Sequence, residues 1–256
     1  MTAAARQRQR QRILSVASPI GLLIVWEILI QLGFGDRRFV PPPSAIAVRF
    51  WAMCVSGELF GHVGATVTRV VVGYVVGIVP AIAVGLAMAM WRPVRYAVDP
   101  LIAAIYPIPK IALMPLLLLA FGFGETSKIA VVTIAAFFPV VINTYTGAAN
   151  IERIYIDAAR NFGASPATMF RRVVFFGSLP MIFAGLRVAL GVSFIVIVAA
   201  EFVAAKQGIG QMIWSSWDLL QVDRMFVGIV SIGILGVAST ALLQEVERLV
   251  IPWKHQ

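Results

Sequence analysis

Residues 65–90 read ATVTRVVVGYVVGIVPAIAVGLAMAM: twenty-six positions whose only charge is Arg69. About 20 mostly apolar residues carry a helix across the hydrocarbon of a bilayer. A soluble core helix of this length would be broken by a polar face, and none is present here. The fold class that follows is an all-α membrane protein. Working outward, five further runs have the same character: Pro19–Leu32, Val98–Phe121, Ile129–Gly147, Pro180–Ala205 and Met225–Leu243. About six transmembrane helices are therefore expected. Across the 256 residues, 60% are hydrophobic and 13% charged, well away from the balance of a soluble domain.

The expected organisation is a basic N-terminal tail (1–18), a first span with an outer loop (19–64), a core (65–247) containing a long loop (148–179), and a short tail (248–256). The apolar run from Ile13 to Leu32 is long for a secretion signal and no small-residue cleavage site follows it, so a retained span is expected. Ser44, after Pro41-Pro42-Pro43, is placed to cap a short helix running through Met53. With six spans both termini share a side. That side collects twelve basic residues (Arg6, Arg8, Arg10, Arg12, Arg92, Arg95, Arg153, Arg160, Arg171, Arg172, Arg248, Lys254) against six on the other (Arg37, Arg38, Arg49, Lys128, Lys206, Arg224). Basic residues mark the cytoplasmic side. Both termini are thus predicted to be cytoplasmic, and basic loops facing anionic lipid account for the net charge of +9 without nucleic acid.

One cysteine, Cys54, excludes an intrachain disulfide, and His62 and His255 have no ligand spacing around them, so no metal site is expected. None of the four lysines (Lys110, Lys128, Lys206, Lys254) follows a glycine, so no phosphate-binding Walker loop exists. The chain is expected to bind no cofactor and to catalyse no reaction alone.

The loop 148–179 is the most informative segment. Ile151, Ile154, Tyr155, Ala158, Ala159 and Phe162 fall on one helical face. Gly163 follows as a left-handed cap, then Ser165 and Pro166 as the start of a second helix presenting Met169, Phe170, Val173 and Phe176. That helix is expected to end near Gly177, with Leu179-Pro180 opening the next span. On physics alone the two helices either lie on the bilayer surface or dock into a groove on a soluble partner.

Asp157-Ala158-Ala159, then Gly163 and later Leu179-Pro180, resembles the "EAA" loop of permease subunits in bacterial ATP-binding-cassette importers, with Asp157 where that family most often has Glu. Tyr106–Leu116 (with Pro107, Pro109, Lys110 and Pro115), Phe121–Lys128, Phe138-Pro139, Asn143-Thr144, Ala199-Ala200-Glu201 and Gly208-Ile209-Gly210 resemble the nitrate/sulfonate/taurine branch, so the likeness runs from about Pro41 to the C-terminus. The resemblance implies the type I importer permease fold with short cytoplasmic coupling helices, in the inner (plasma) membrane. It implies a homodimer of permease chains, cytoplasmic ATPase subunits that use ATP, and an extracytoplasmic solute-binding protein. The helix after Gly163 would be the coupling helix, with Ala164 and Ser165 at its start, Met169 and Phe170 as anchors, and Arg171 and Arg172 at the rim.

Polar residues within spans are functional suspects. Lys110 would either attract an anionic substrate or pair with Glu201. Glu201 would line the path or brace the outer gate. Asn143 would serve the path or join two spans by hydrogen bonding. Arg187 and Arg69 are expected to snorkel to the span ends, and Glu27 has no assigned role. Gly73, Gly77, Ala81 and Gly85 form a small-residue stripe for close helix contact, either at a permease dimer or against the fourth or fifth span. A secondary transporter would instead show an internal repeat and buried acids for ion coupling. A membrane enzyme would show converging His, Asp, Glu or Ser. Neither pattern is visible.

Overall fold

The computed structural model describes residues 3–255; residues 1, 2 and 256, the extreme ends of the two expected tails, lie outside it. Every regular element described is helical: α1 (Ala3–Gln31), α2 (Pro43–Val55), α3 (Glu58–Met90), α4 (Arg92–Ile105), α5 (Met114–Phe121), α6 (Glu125–Ala149), α7 (Arg153–Asn161), α8 (Pro166–Met169), α9 (Phe176–Ala204), α10 (Ile209–Asp218) and α11 (Val222–Val250), with 3₁₀ turns at Lys110–Leu113 and Pro252–His255.

Four helical stretches are long and apolar enough to cross a membrane: Glu58–Met90, Glu125–Ala149, Pro166–Ala204 and Val222–Val250. The expected third span is broken. α4 and Lys110–Phe121 meet at 91°, because Pro107 and Pro109 remove the donors a continuous helix needs. α1 is 29 residues long and carries most of the apolar run expected as the first span. The basic segment expected as a separate tail is the continuation of this same helix from Ala3.

The chain forms two compact units. The first holds residues up to Phe60 together with Met212–Val230. Here the carboxylate of Glu27 on α1 accepts hydrogen bonds from the backbone N–H of Ser44 (3.0 Å) and from its hydroxyl (2.8 Å). Ser44 is therefore not the cap of α2. Pro42 occupies that position, and Glu27, a carboxylate at a helix N-terminus, satisfies the free donors in its place. Trp26 packs on Phe226 at a centroid distance of 5.7 Å, and Arg224 pairs with Glu58 at 2.6 Å.

The second unit, Gly61–Gln211 with Ser231 onward, is built on α6 and α9. The small-residue stripe of α3 packs against α6, the fourth expected span. A Cβ on Gly77 would lie 2.5 Å from the Thr133 carbonyl oxygen, and one on Gly85 would lie 2.7 Å from the Thr144 Cβ. With no hydrophobic driving force between helices in lipid, such close approach supplies the packing attraction. Val140, Val141, Ala136, Ile182 and Ala189 fill the seam between α6 and α9.

Candidate functional site

The loop at 148–179 begins with α7, whose C-terminus is closed by two backbone bonds: Gly163 N–H to the Arg160 carbonyl (2.9 Å) and Ala164 N–H to the Ala159 carbonyl (3.0 Å). This is the Schellman arrangement, and it requires the left-handed backbone that Gly163 adopts at φ +72°. Ser165 is the N-cap of α8 and its hydroxyl accepts from the Thr168 N–H at 3.3 Å; Pro166 opens the helix. The elbow is thus specified locally, by residues that each satisfy a named backbone group.

One expectation for this loop is corrected. The second helix does not end near Gly177: α8, a π-helical segment at Phe170–Phe175 and α9 run on as one stretch, Pro166–Ala204, through Leu179 and Pro180. Pro180 has no N–H to give to the Phe176 carbonyl one turn back, and beside it the Ser178 hydroxyl donates to the Phe175 carbonyl (2.9 Å). Met169 and Phe170 are half-buried in the chain's own fold. The exposed large apolar residues of the loop are Ile154 and Tyr155 on α7, Phe162 just past its end at 90% accessible, and Phe176 at the start of α9. Asp157, Ala158, Arg171 and Arg172 are exposed beside them, with Asp157 facing Arg160 at 3.8 Å.

Lys110 lies at the break between α4 and α5. Its ammonium donates to the carbonyls of Ile105 (3.0 Å), Tyr106 (2.9 Å) and Ile108 (2.8 Å), and sits 4.5 Å from the centroid of the Phe138 ring. It closes α4 by holding the carbonyls at the end of the helix and in the turn beyond it. The alternative pairing with Glu201 does not occur. Asn143 donates to the Pro139 carbonyl one turn back (2.8 Å), and its Cβ faces Gly185 at the seam of α6 and α9. Among the described residues no hydrogen bond or ion pair joins any two of Lys110, Asn143 and Glu201.

Glu201 is fully buried, in a network that the sequence reading missed. Its carboxylate meets the Arg69 guanidinium at 2.6 Å, the Thr66 hydroxyl at 2.9 Å and the Gly210 N–H at 2.8 Å. Arg69 also binds Glu125 through two nitrogens and the Gln207 carbonyl at 2.6 Å, so it is buried between two acids and does not snorkel. Lys128, counted by sequence among loop residues, is buried as well, donating to the carbonyls of Gly124 (2.8 Å) and Ala204 (3.1 Å). Gly208, at φ +142°, is required here, since a Cβ would fall 2.5 Å from the Glu201 carboxylate oxygens. The network fixes the turn at 205–210 against α3 and α6, and every ion in it has a counter-ion or carbonyl partner, as burial in lipid demands. Arg187 likewise pairs with Glu247 at 2.6 Å, so it too is held inside the fold.

Comparison with known proteins places this architecture. The family model described as "Binding-protein-dependent transport system inner membrane component" matches residues 73–252. The taurine transport system permease protein TauC of Escherichia coli (strain K12) is 34% identical over 249 residues, 95% of this chain and 90% of that protein. The putative aliphatic sulfonates transport permease protein SsuC of the same strain is 33% identical, covering 92% and 89%. The nitrate import permease protein NrtB of Synechocystis sp. (strain PCC 6803) is 30% identical, covering 90% and 86%. Among solved structures, an inward-facing MetNI methionine ABC transporter aligns with a TM-score of 0.65 at 20% identity, covering 74% of this chain and 94% of the other, a likeness of fold.

Proposed function

This chain belongs to the inner membrane components of binding-protein-dependent transport systems, and we propose that it forms the translocation path for a small anionic solute (a sulfonate, taurine, nitrate or similar) and takes its energy through the loop at 148–179. It is an ABC transporter permease, multi-pass in the inner membrane, and as a permease component lacks an ATPase domain of its own; ATP is hydrolysed by a partner. The observation that carries the coupling role is the unpartnered apolar edge of α7, ending in the exposed Phe162, beside an elbow held by Gly163 and Ser165. Apolar side chains flanked by arginines suit a groove on a soluble ATPase subunit. The coupling residues are Asp157, Ala158, Ala159, Gly163, Ala164, Ser165, Met169, Phe170, Arg171, Arg172, Leu179 and Pro180, with the contact surface shifted toward Ile154, Tyr155 and Phe162. A difference in that contact between inward- and outward-open states is what ATP would drive.

The anionic solute is supported by what the relatives transport, as their names state, and by the cationic Lys110 at the helix break. We assign the chain to a homodimer served by ATPase subunits and a solute-binding protein. Both termini are cytoplasmic, which makes α1 a sixth, crossing helix, in keeping with the distribution of basic residues. The test is uptake of labelled taurine, an alkanesulfonate or nitrate by proteoliposomes holding the permease, its ATPase and its binding protein. ATP-dependent uptake of one of these is expected. Uptake that follows an imposed ion gradient and ignores ATP contradicts the proposal.

A further inference from the structure

Within the first unit, the segment after α1, the middle of α2 and the first turn of α11 enclose a cleft of about 720 Å³. Arg37, Arg38, Arg49 and Arg224 line it against a single lining carboxylate, Asp223. Arg224 is committed to Glu58 at 2.6 Å, and Arg37 donates to the Gln31 amide. The Arg38 backbone N–H donates to the Asp36 carboxylate (2.9 Å), but neither the Arg38 nor the Arg49 guanidinium is in an ion pair among the described residues. Guanidinium groups gathered around one volume repel one another unless an oxyanion joins them, and their planar forks match phosphate oxygens. The volume falls within the roughly 300–1,000 Å³ of small-molecule sites, far more than a lone inorganic anion fills.

The rim says which phosphate. Phe39, 64% exposed, and Leu220, 74% exposed, line the same cleft. Leu220 is also the one non-glycine residue at positive φ among the described residues (φ +53°), so a bulky apolar side chain is held out where glycine would fit more easily. In the helix that precedes it, Trp214 and Trp217 are exposed and lie with ring centroids 5.2 Å apart. Tryptophans and apolar side chains beside arginines mark headgroup depth in a bilayer, and a face turned to water would not carry them. From the cleft and its rim together we propose that it binds the phosphate headgroup of an anionic phospholipid, with the acyl chains running along the exposed apolar rim. This goes beyond the transport reading and does not depend on which solute is carried.

The test uses the full chain, purified with the subunits that accompany it, in detergent micelles containing equal phosphatidylglycerol and phosphatidylcholine. Lipid retained through gel filtration is then quantified. An excess of phosphatidylglycerol is expected. A charge-assisted hydrogen bond to an oxyanion is worth roughly tenfold, so the R38Q/R49Q double variant should lose the excess by about 100-fold in affinity. The R38K/R49K variant, with the charge kept, should retain most of it, and a helical circular dichroism spectrum equal to wild type would establish that all variants fold. Equal retention of both lipids by the wild type, or an undiminished excess in R38Q/R49Q, overturns the proposal. Displacement of phosphatidylglycerol by inorganic phosphate at millimolar concentration overturns it in favour of a small-anion site. A cleft that retains no lipid, but whose R38Q/R49Q form loses affinity for the solute-binding protein, is a protein-docking face and overturns it too.

Discussion

Replacing Gly163 with valine adds a branched Cβ to a backbone held at φ +72°. No heavy atom lies within 4 Å of where that Cβ would sit, so packing contributes nothing and the whole effect is conformational. An L-residue in the left-handed region costs about 1–2 kcal/mol, and a β-branched one lies at the upper end. At about 2 kcal/mol the elbow's population relative to relaxed alternatives falls about 30-fold. Both Schellman bonds would be lost with it, and α8 would leave α7 at another angle. The spans are untouched, so expression and melting temperature should stay near wild type. The assay is solute-stimulated ATP hydrolysis by the reconstituted transporter. Gly163→Val should lose most of the stimulation, whereas Gly163→Asn should keep much of it, because asparagine tolerates this conformation. Full stimulation in the valine variant, or equal loss in both, would refute the reasoning.

Glu201→Ala should destabilise the purified protein by about 3–5 kcal/mol, because it leaves Arg69 buried with half its counter-charge; a thermal-shift assay showing less than a degree of change would contradict the network. Gly208→Ala should lower the melting temperature through the collision with the same carboxylate, while Gly236→Ala, whose added methyl meets nothing within 4 Å, should stay within about 0.5 kcal/mol of wild type. Gly77→Ala should separate α3 from α6 and cost about 1–3 kcal/mol, read as loss of folded protein on mild heating. Phe162→Ala should weaken ATPase association by roughly 10- to 100-fold, the worth of burying one aromatic side chain; Phe170→Ala, half-buried in the chain's own fold, should lower thermal stability as well as ATPase association.

What the sequence made legible was whatever is encoded over a few neighbouring residues. The apolar run at 65–90 announced a span, the four-residue stripe of α3 announced close packing, and the glycine, serine and proline at 163–166 announced an elbow that the backbone bonds now account for. What stayed hidden depends on partners far apart in the chain. Arg69 meets Glu125 and Glu201 across 56 and 132 positions, and no local pattern marks either pairing. For the same reason Arg69 looked like a snorkelling residue and Lys128 like a loop residue. The capping of α2 by Glu27 is a further case, since Ser44 had the right chemistry for the cap but stands two places past it. Lys110 was found by its charge, yet its carbonyl partners appear only once the prolines have bent the helix by 91°. The π segment at 170–175 left no mark in the periodicity, so the helix was ended too early.

The most direct test of the central claim is to tag this chain, extract it gently from its native membrane and measure what co-purifies, and in what amount. An ATPase subunit in near-equal amount is predicted, together with a crosslink to that subunit from a photoreactive residue placed at Phe162. A chain that emerges without an ATPase, under conditions that preserve other assemblies of this kind, would contradict the claim that the loop at 148–179 is where transport takes its energy.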